Sequence, residues 1–293
     1  MYDIIIIGAG PAGMSAALFA RRSNKNTLLL EASSYGGQII KAHKINNYPT
    51  QNGISGFDYA EKLFNQVKDL GTEIKFERVI NINNYDDYKE VITKRETYKT
   101  KTIIIATGSD HRLLGLDREK ELTGKGVSYC ASCDGAFFKG KDVAVVGNNS
   151  TAVEDALYLS DIVSKVYLIN PKDTFEVDTS ELEKRENVEI LLKTNITSLN
   201  GEGKLESITT NNDTINVSGL FIEVGRVPEN ENFKNIINMD EQGYIIATED
   251  CHTNIEGIFV SGDNRTKSLR QLVTAVSDGA VAASEAIKYV NMK

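Results

Sequence analysis

Cysteine is scarce in this chain, with three residues among 293 and only three histidines beside them. That scarcity excludes a secreted disulfide scaffold, which is short and dense in cysteine, and points to a reducing compartment. An excess of positive charge is also missing. The 33 Lys and Arg against 41 Asp and Glu leave a net charge of -8, which argues against nonspecific attraction to nucleic acid or anionic lipid. Neither nucleic acid nor a membrane is therefore expected as a partner. No stretch approaches the roughly 18 apolar residues of a membrane span. The opening apolar run, Ile4 to Ile7, lacks a basic leader and is shorter than a signal-peptide core. The protein is expected to be soluble and cytoplasmic.

The length of 293 residues accommodates two α/β domains, each with its own core. Met1 to Glu31 reads as strand, glycine turn, small-residue helix and strand, one complete βαβ unit. An amphipathic helix around Ala60 to Leu70 stops at Gly71, short strands follow, and Thr100 to Ser109 returns to a buried parallel strand. Between Leu114 and Gly126 the composition turns polar and charged, as a linker does. A second βαβ unit starts at Lys141 with D-V-A-V-V-G and closes on K-V-Y-L-I-N, and later strands mirror the first half. The segment from Gly243 onward, ending in a helix from about Arg270 to Val290, repeats neither unit and is expected to complete the first domain. The expected fold is α/β, with two Rossmann-like three-layer nucleotide-binding domains, the second inserted into the first. Residues 1–113 and 243–293 form one and residues 114–242 the other.

Gly8, Gly10 and Gly13 follow a strand and open a helix, and Glu31 closes the next strand. Gly8 makes the tight turn, Gly10 admits a pyrophosphate, and Gly13 lets helix pack on strand. Glu31 can accept from ribose hydroxyls, and the helix N-terminus offers amides and partial positive charge. Strand, helix and acid in register predict a bound adenine dinucleotide.

The pair Cys130 and Cys133 stands in C-A-S-C-D. A tetrahedral structural zinc wants four ligands, and no second Cys or His cluster exists to complete it, so no metal is expected. A dithiol and disulfide couple fits the spacing better. Thiol exchange needs an attacking thiolate and a proton for the departing sulfur. Asp134 follows directly and could supply that proton. Cys251 has no such surroundings and reads as a packed thiol.

G-G-Q-I at Gly36, N-N-Y-P at Asn46, I-A-T-G-S at Ile105, C-A-S-C-D-G at Cys130, and S-G-D with L-R-Q-L-V-T-A-V-S-D-G near the C-terminus resemble the low-molecular-weight thioredoxin reductases. The motifs occur in that family's order across nearly the whole chain. The resemblance implies a flavoprotein disulfide reductase that binds FAD and forms a homodimer. It assigns FAD to Gly8, Gly10, Pro11, Ala12, Gly13, Glu31, Ala32, Gly37, Gln38 and Asn47 in the first stretch of chain. Ala106, Thr107, Gly108, Gly262, Asp263, Arg270, Gln271 and Leu272 complete that set. Asp263 would hold the ribityl chain, although an acid there also suits an ordinary turn. The helix after Arg270 and Gln271 would aim its N-terminus at the flavin, where it stabilises the anion of the reduced ring. By the same resemblance Cys133 lies against the flavin, Cys130 attacks the disulfide of thioredoxin, and Asp134 is the general acid.

The second fingerprint departs from the family. Gly147 and Ala152 keep the first and third positions, but Asn149 occupies the crowded second one. Where the family shows H-R-R-x-x-x-R after the next strand, this chain has N-P-K-D-T-F-E, so Asn170, Pro171 and Glu176 replace a histidine and two arginines and only Lys172 is basic. Nor does Asn170 suit NADH, which wants an acid at that strand end. These departures narrow the resemblance to the ferredoxin-dependent flavin thioredoxin reductases, which implies reduced ferredoxin as electron donor. An acidic ferredoxin needs a basic patch, and Arg21, Arg22, Lys25, Lys139 and Lys141 are candidates. The alternatives are an NAD(P)H-dependent thioredoxin reductase with atypical nucleotide contacts, and a redox sensor without turnover.

Overall fold

The computed structural model describes residues 1–42 and 44–293. Its first stretch runs β1 (Tyr2–Ile7), α1 (Pro11–Arg22), β2 (Thr27–Glu31), α2 (Gly56–Asp69), β3 (Glu73–Phe76), β4 (Val79–Asn84), β5 (Lys89–Thr93) and β6 (Thr97–Ile105). Strands β1, β2, β3 and the second half of β6 are parallel, while the first half of β6 turns antiparallel to β5 and so joins the β4–β5 hairpin to the sheet. The run Ile4 to Ile7 is apolar throughout because both faces of a parallel sheet are covered. Alternate side chains divide between two cores, Ile4 and Ile6 on one face with α1, and Ile5 and Ile7 on the other. Helix α2 starts where the Ser55 hydroxyl accepts the Asp58 amide at 3.0 Å.

The chain leaves this unit through β7 (Ser109–His111). It continues with α3 (Glu119–Leu122), β8 (Val127–Ser128), α4 (Ala131–Asp134), β9 (Asp142–Val146), α5 (Ser150–Ser160), β10 (Lys165–Asn170), α6 (Ser180–Glu183) and β11 (Val188–Leu192). Strands β12 (Ile196–Asn200), β13 (Ser207–Thr210), β14 (Thr214–Asn216) and β15 (Gly219–Ile222) complete the unit. A parallel sheet is ordered β11-β10-β9-β15-β8, and β12-β13-β14 form a separate antiparallel sheet. The stretch from Leu114 to Gly126, polar enough to read as a linker, is folded into this unit. Glu119, 2 % exposed, turns inward and accepts the amides of Leu114, Gly115 and Leu116 at 3.1, 2.8 and 3.2 Å. Its charge serves buried backbone that would otherwise lack partners.

Strand β16 (Arg226–Pro228) pairs with β7 where the chain re-enters the first unit, and β17 (Ile258–Val260) and α7 (Leu272–Met292) follow. Strand β17 lies parallel to the second half of β6, and α7 packs on α1 through Ala282, Ala283 and Ala286. Small residues on both helices permit close approach. The compact units are Met1–Asp110 with Val227–Lys293, and His111–Arg226. The return to the first unit therefore comes at Val227, ahead of the Gly243 read from sequence. Phe233 and Ile237, in the intervening stretch, are buried in the same core as Ile5, Ile7 and Ile105.

Candidate functional site

In the first unit the three fingerprint glycines meet different constraints. Gly8 has φ +108°, and a Cβ there would lie 2.3 Å from the Ala106 carbonyl oxygen; one on Gly13 would lie 1.8 Å from the Gly8 carbonyl oxygen. Gly10 faces open space, with nothing within 4 Å of such a Cβ. Its position before α1 leaves the helix N-terminus without a side-chain cap and without an acid in its first turn, and Pro11 opens the helix. An anion placed over Gly10 would meet bare amides and the helix dipole.

Some of the other assigned residues lie against this turn, and the rest contact one another. Glu31 is held by the Ala9 and Ser33 amides, each at 2.8 Å, and its carboxylate keeps lone pairs for hydroxyl donors. Ala32 follows it. Gly37 and Gln38 open a 3-10 turn in which a Cβ on Gly37 would stand 3.2 Å from the Gly10 Cα. Ala106, Thr107 and Gly108 leave β6 beside Gly8, and a Cβ on Gly262 would stand 2.9 Å from the Cβ of Ala12. Arg270 donates to the Asp263 carbonyl at 3.3 Å and stacks on Tyr244 at 4.1 Å. Gln271 caps α7 just ahead of Leu272, and Asn47 donates to its side chain at 3.0 Å. Uncapped backbone amides, an acid with free lone pairs and the open space at Gly10 fit a dinucleotide such as FAD.

Sequence reasoning missed Asp278, which organises the last part of this cluster. Its carboxylate accepts the Gly262 amide at 3.0 Å, Arg265 Nε and Nη2 at 2.8 and 2.9 Å, and Lys267 at 2.8 Å. Burial pushes its pKa up, but the hydrogen bonds and charges of Arg265 and Lys267 outweigh that and hold it below the ordinary carboxylate range. The signal was present, since Asp278 falls on the helical face shared by Ala275, Ala282 and Ala286. Replacing Asp278 with Asn strands two buried cations and is expected to cost about 3–5 kcal/mol in chemical denaturation. The depressed pKa makes the wild-type contribution complete above the unfolded value near pH 4, and it is lost as pH falls through the folded one. The Asn variant should lack that part of the acid dependence. Cys251 lies buried against the same network, and burial pushes its thiol up to about 12.

In the second unit Cys130 precedes α4 and Cys133 lies within it, and a disulfide joins them with Cα atoms 5.3 Å apart. Ser128, also missed, ties the motif together. Its hydroxyl donates to Asp134 Oδ2 at 2.6 Å and accepts the Cys130 amide at 3.2 Å. Among the described residues no group of three or more His, Cys, Asp or Glu side chains is arranged as metal ligands, and no helix is long and apolar enough to cross a membrane.

The second fingerprint keeps the shape of the first but uses its polar atoms internally. Gly147 is tight, since a Cβ there would lie 2.5 Å from the Glu223 carbonyl oxygen. Asn149 caps α5, with Oδ1 accepting the Ala152 amide at 3.0 Å and Nδ2 donating to the Glu223 carbonyl at 2.9 Å. Asn170 is fully buried and holds its own loop, accepting the Lys172 amide at 2.8 Å and donating to the Thr174 carbonyl at 2.9 Å. Glu176 receives Lys172 at 3.1 Å and Asn148 at 2.9 Å, and these contacts hold its pKa down. Of the surface cations, Arg21 donates to the carbonyls of Leu70 and Lys25, and Lys141 leans on Phe138; Arg22 and Lys139 are exposed.

The family model for pyridine nucleotide-disulphide oxidoreductases matches residues 2–279. A thioredoxin reductase of Listeria monocytogenes is 40% identical over 300 residues, covering 99% of this chain and 94% of that one. The crystal structure of thioredoxin reductase from Streptococcus pyogenes superposes with a TM-score of 0.96 at 37% identity, covering 100% of this chain and 99% of that one. A ferredoxin-flavin thioredoxin reductase from Clostridium acetobutylicum is 31% identical with a TM-score of 0.56, covering 100% and 99%.

Proposed function

We propose that this chain, which belongs to the pyridine nucleotide-disulphide oxidoreductases and among them to the low-molecular-weight thioredoxin reductases, draws its electrons from reduced ferredoxin and delivers them to thioredoxin. One observation carries the choice of donor: the second fingerprint has spent its anion-binding groups on itself. Asn149 takes the helix amide that a pyrophosphate would use, and Glu176 neutralises Lys172, the basic residue left for a 2'-phosphate. A hydrogen bond to a charged group contributes about 1.5–3 kcal/mol, so two lost contacts weaken NADPH by roughly 10² to 10⁴ fold. The ferredoxin-flavin relative from Clostridium acetobutylicum shares the fold over the whole chain and supports the reading.

FAD, the cofactor typical of this family, supplies the link between a one-electron donor and two-electron disulfide chemistry when bound. The chain's own residues do the rest. The α1 N-terminus, Gly10 and Glu31 would hold the dinucleotide, together with Gln271 at the start of α7. Cleavage of the Cys130–Cys133 bond by two electrons and one proton leaves one thiolate and one thiol. Cys130 attacks the substrate disulfide as the thiolate, and Asp134, oriented by Ser128, gives a proton to the first departing sulfur. Cys133 passes its own proton back to Asp134 as it attacks Cys130 in the mixed disulfide, and the second substrate sulfur leaves as a thiolate into solvent. The protein is proposed to act as a homodimer in the cytoplasm.

The preserved Gly147 and Ala152 favour a second reading, in which NADPH or NADH still binds through atypical contacts. Anaerobic mixing separates the two. Photoreduced ferredoxin is expected to bleach the flavin absorbance, with micromolar NADPH or NADH slower by about 10² fold or more. Rapid bleaching by NADPH at micromolar concentration would overturn the donor.

A further inference from the structure

Tyr129, one residue ahead of Cys130, is tied to an acid that the disulfide chemistry does not use. Val127 and Tyr129 pack in one core of the second unit with Leu122, Leu205 and Leu220, whereas Ala131 lies in the other with Val143 and Leu159. Cys130 therefore stands where the chain crosses from one core to the other. Strand β8 ends at Ser128, and α4, which starts at Ala131, is four residues long and too short to hold itself together. The place of Cys130 then depends on how its neighbours are held. The Ser128 hydroxyl accepts the Cys130 amide at 3.2 Å. The Tyr129 hydroxyl donates to Glu119 Oε1 at 2.7 Å, and its ring lies 4.8 Å from that of His111. Glu119 is a firm anchor, being 2 % exposed and already accepting the amides of Leu114, Gly115 and Leu116 at 3.1, 2.8 and 3.2 Å. A buried carboxylate with all these donors satisfied rigidifies what it holds, and a hydroxyl bound to a carboxylate is among the stronger hydrogen bonds.

We propose that Glu119, acting through the Tyr129 hydroxyl, is a positioning residue for Cys130 and sets the reducing power of the Cys130–Cys133 pair. In the oxidised protein the disulfide, with its Cα atoms 5.3 Å apart, holds Cys130 whether or not Tyr129 is tied. In the reduced protein that bond is open, and the tie at Tyr129 keeps the first thiol near the second. Releasing it gives the dithiol a conformational freedom that the disulfide cannot share, which favours the dithiol. A pair whose disulfide closes less readily is a weaker reductant. The tie from Glu119 thus keeps the pair reducing enough to pass electrons to a substrate disulfide.

This role depends on Cys130 and Cys133 as the working redox couple, and the test uses neither ferredoxin nor thioredoxin. Holoenzyme is equilibrated anaerobically near pH 7 in buffers of reduced and oxidised glutathione, two glutathiones giving two electrons and two protons to the pair as they join in a disulfide. Dithiothreitol buffers extend the range. After acid quenching, free Cys130 and Cys133 are quantified by maleimide labelling and mass spectrometry. Tyr129→Phe keeps the ring and loses the hydroxyl. Its equilibrium is expected to shift about threefold or more toward the dithiol, a midpoint about 14 mV less negative at ~30 mV per tenfold. Glu119→Asp, which draws the carboxylate back by one methylene, should shift the midpoint the same way, and the double variant no further than the larger single one. A smaller shift, a shift the other way, or a double variant equal to the sum of the singles overturns the proposal. In particular, a lowered Tm with an unmoved midpoint reduces Tyr129 and Glu119 to packing. Either single variant decides if the other fails to fold. A wild-type pair that stays oxidised in every buffer overturns the redox couple itself, a result distinct from an unmoved midpoint.

Discussion

Cys130→Ser protein is expected to purify with its full complement of FAD and to lose thioredoxin reduction by about 10³ fold or more, the scale on which removal of a nucleophile acts. The expectation has two parts with separate physical grounds. Serine at 130 leaves a hydroxyl that does not ionise near neutral pH and forms no disulfide, so neither the Cys130–Cys133 bond nor a mixed disulfide with substrate at position 130 can arise. Flavin retention follows from the division of the chain, because the dinucleotide turn and its surrounding residues lie in the unit of Met1–Asp110 and Val227–Lys293, whereas Cys130 lies in His111–Arg226. Steady-state turnover together with the protein's visible spectrum measures both. Cys133→Ser, equally inactive in turnover, should still be captured through Cys130 by a thioredoxin lacking its resolving cysteine. Capture by Cys130→Ser protein through Cys133 would reverse the two roles.

The features read correctly from sequence are those whose cause is local. Ile4 to Ile7, the glycines after them and Glu31 lie within one βαβ unit, and strand burial, helix start and turn are written in neighbouring residues. The same holds for α7, whose small-residue face has helical spacing. Features fixed by distant partners were not legible. Phe233 and Ile237 stand one helical turn apart, but the helix there is the three-residue turn Glu231–Phe233, too short for periodicity to reveal, yet they fill the core under β1 and β6 and move the return to the first unit to Val227. Glu119 looks like a linker charge until its three amides and Tyr129 are seen around it. Ser128 became visible as a functional residue only through its bond to Asp134, and for Asp278 helical spacing marked the buried face but not the partners, Arg265 and Lys267, that give it a role. A polar residue's role depends on what it meets, which periodicity does not encode. Asn149 shows the limit from the other side. The sequence marked it as an obstruction to a nucleotide, and the structure gives it a positive task as the cap of α5.

Gly10→Val and Gly13→Val, three residues apart in one fingerprint, are expected to fail in different ways. A Cβ on Gly13 would fall 1.8 Å from the Gly8 carbonyl oxygen and 3.3 Å from the Ala106 Cβ, contacts inside the protein itself. Helix α1 must then move off β1, and the overpacking costs about 1–3 kcal/mol or more whether or not any cofactor is bound. Gly13→Val should therefore melt early as apoprotein and accumulate poorly. A Cβ on Gly10 meets nothing within 4 Å, and its backbone is extended with φ −75°, which any residue adopts. Gly10→Val should fold as apoprotein with a Tm near that of the wild-type apoprotein. What it fills is the space over the α1 amides, where a pyrophosphate would make charge-assisted hydrogen bonds of about 1.5–3 kcal/mol each. Losing two of them corresponds to roughly 10² to 10⁴ fold in FAD affinity, readable by flavin fluorescence titration of the apoprotein. The contrast discriminates between a dinucleotide turn and a merely tight turn. If Gly10→Val binds FAD as wild type does, the α1 N-terminus is not where the pyrophosphate sits. If both variants lose stability equally as apoproteins, Gly10 is a packing glycine like its neighbour, and the open groove above it has no bearing on the cofactor.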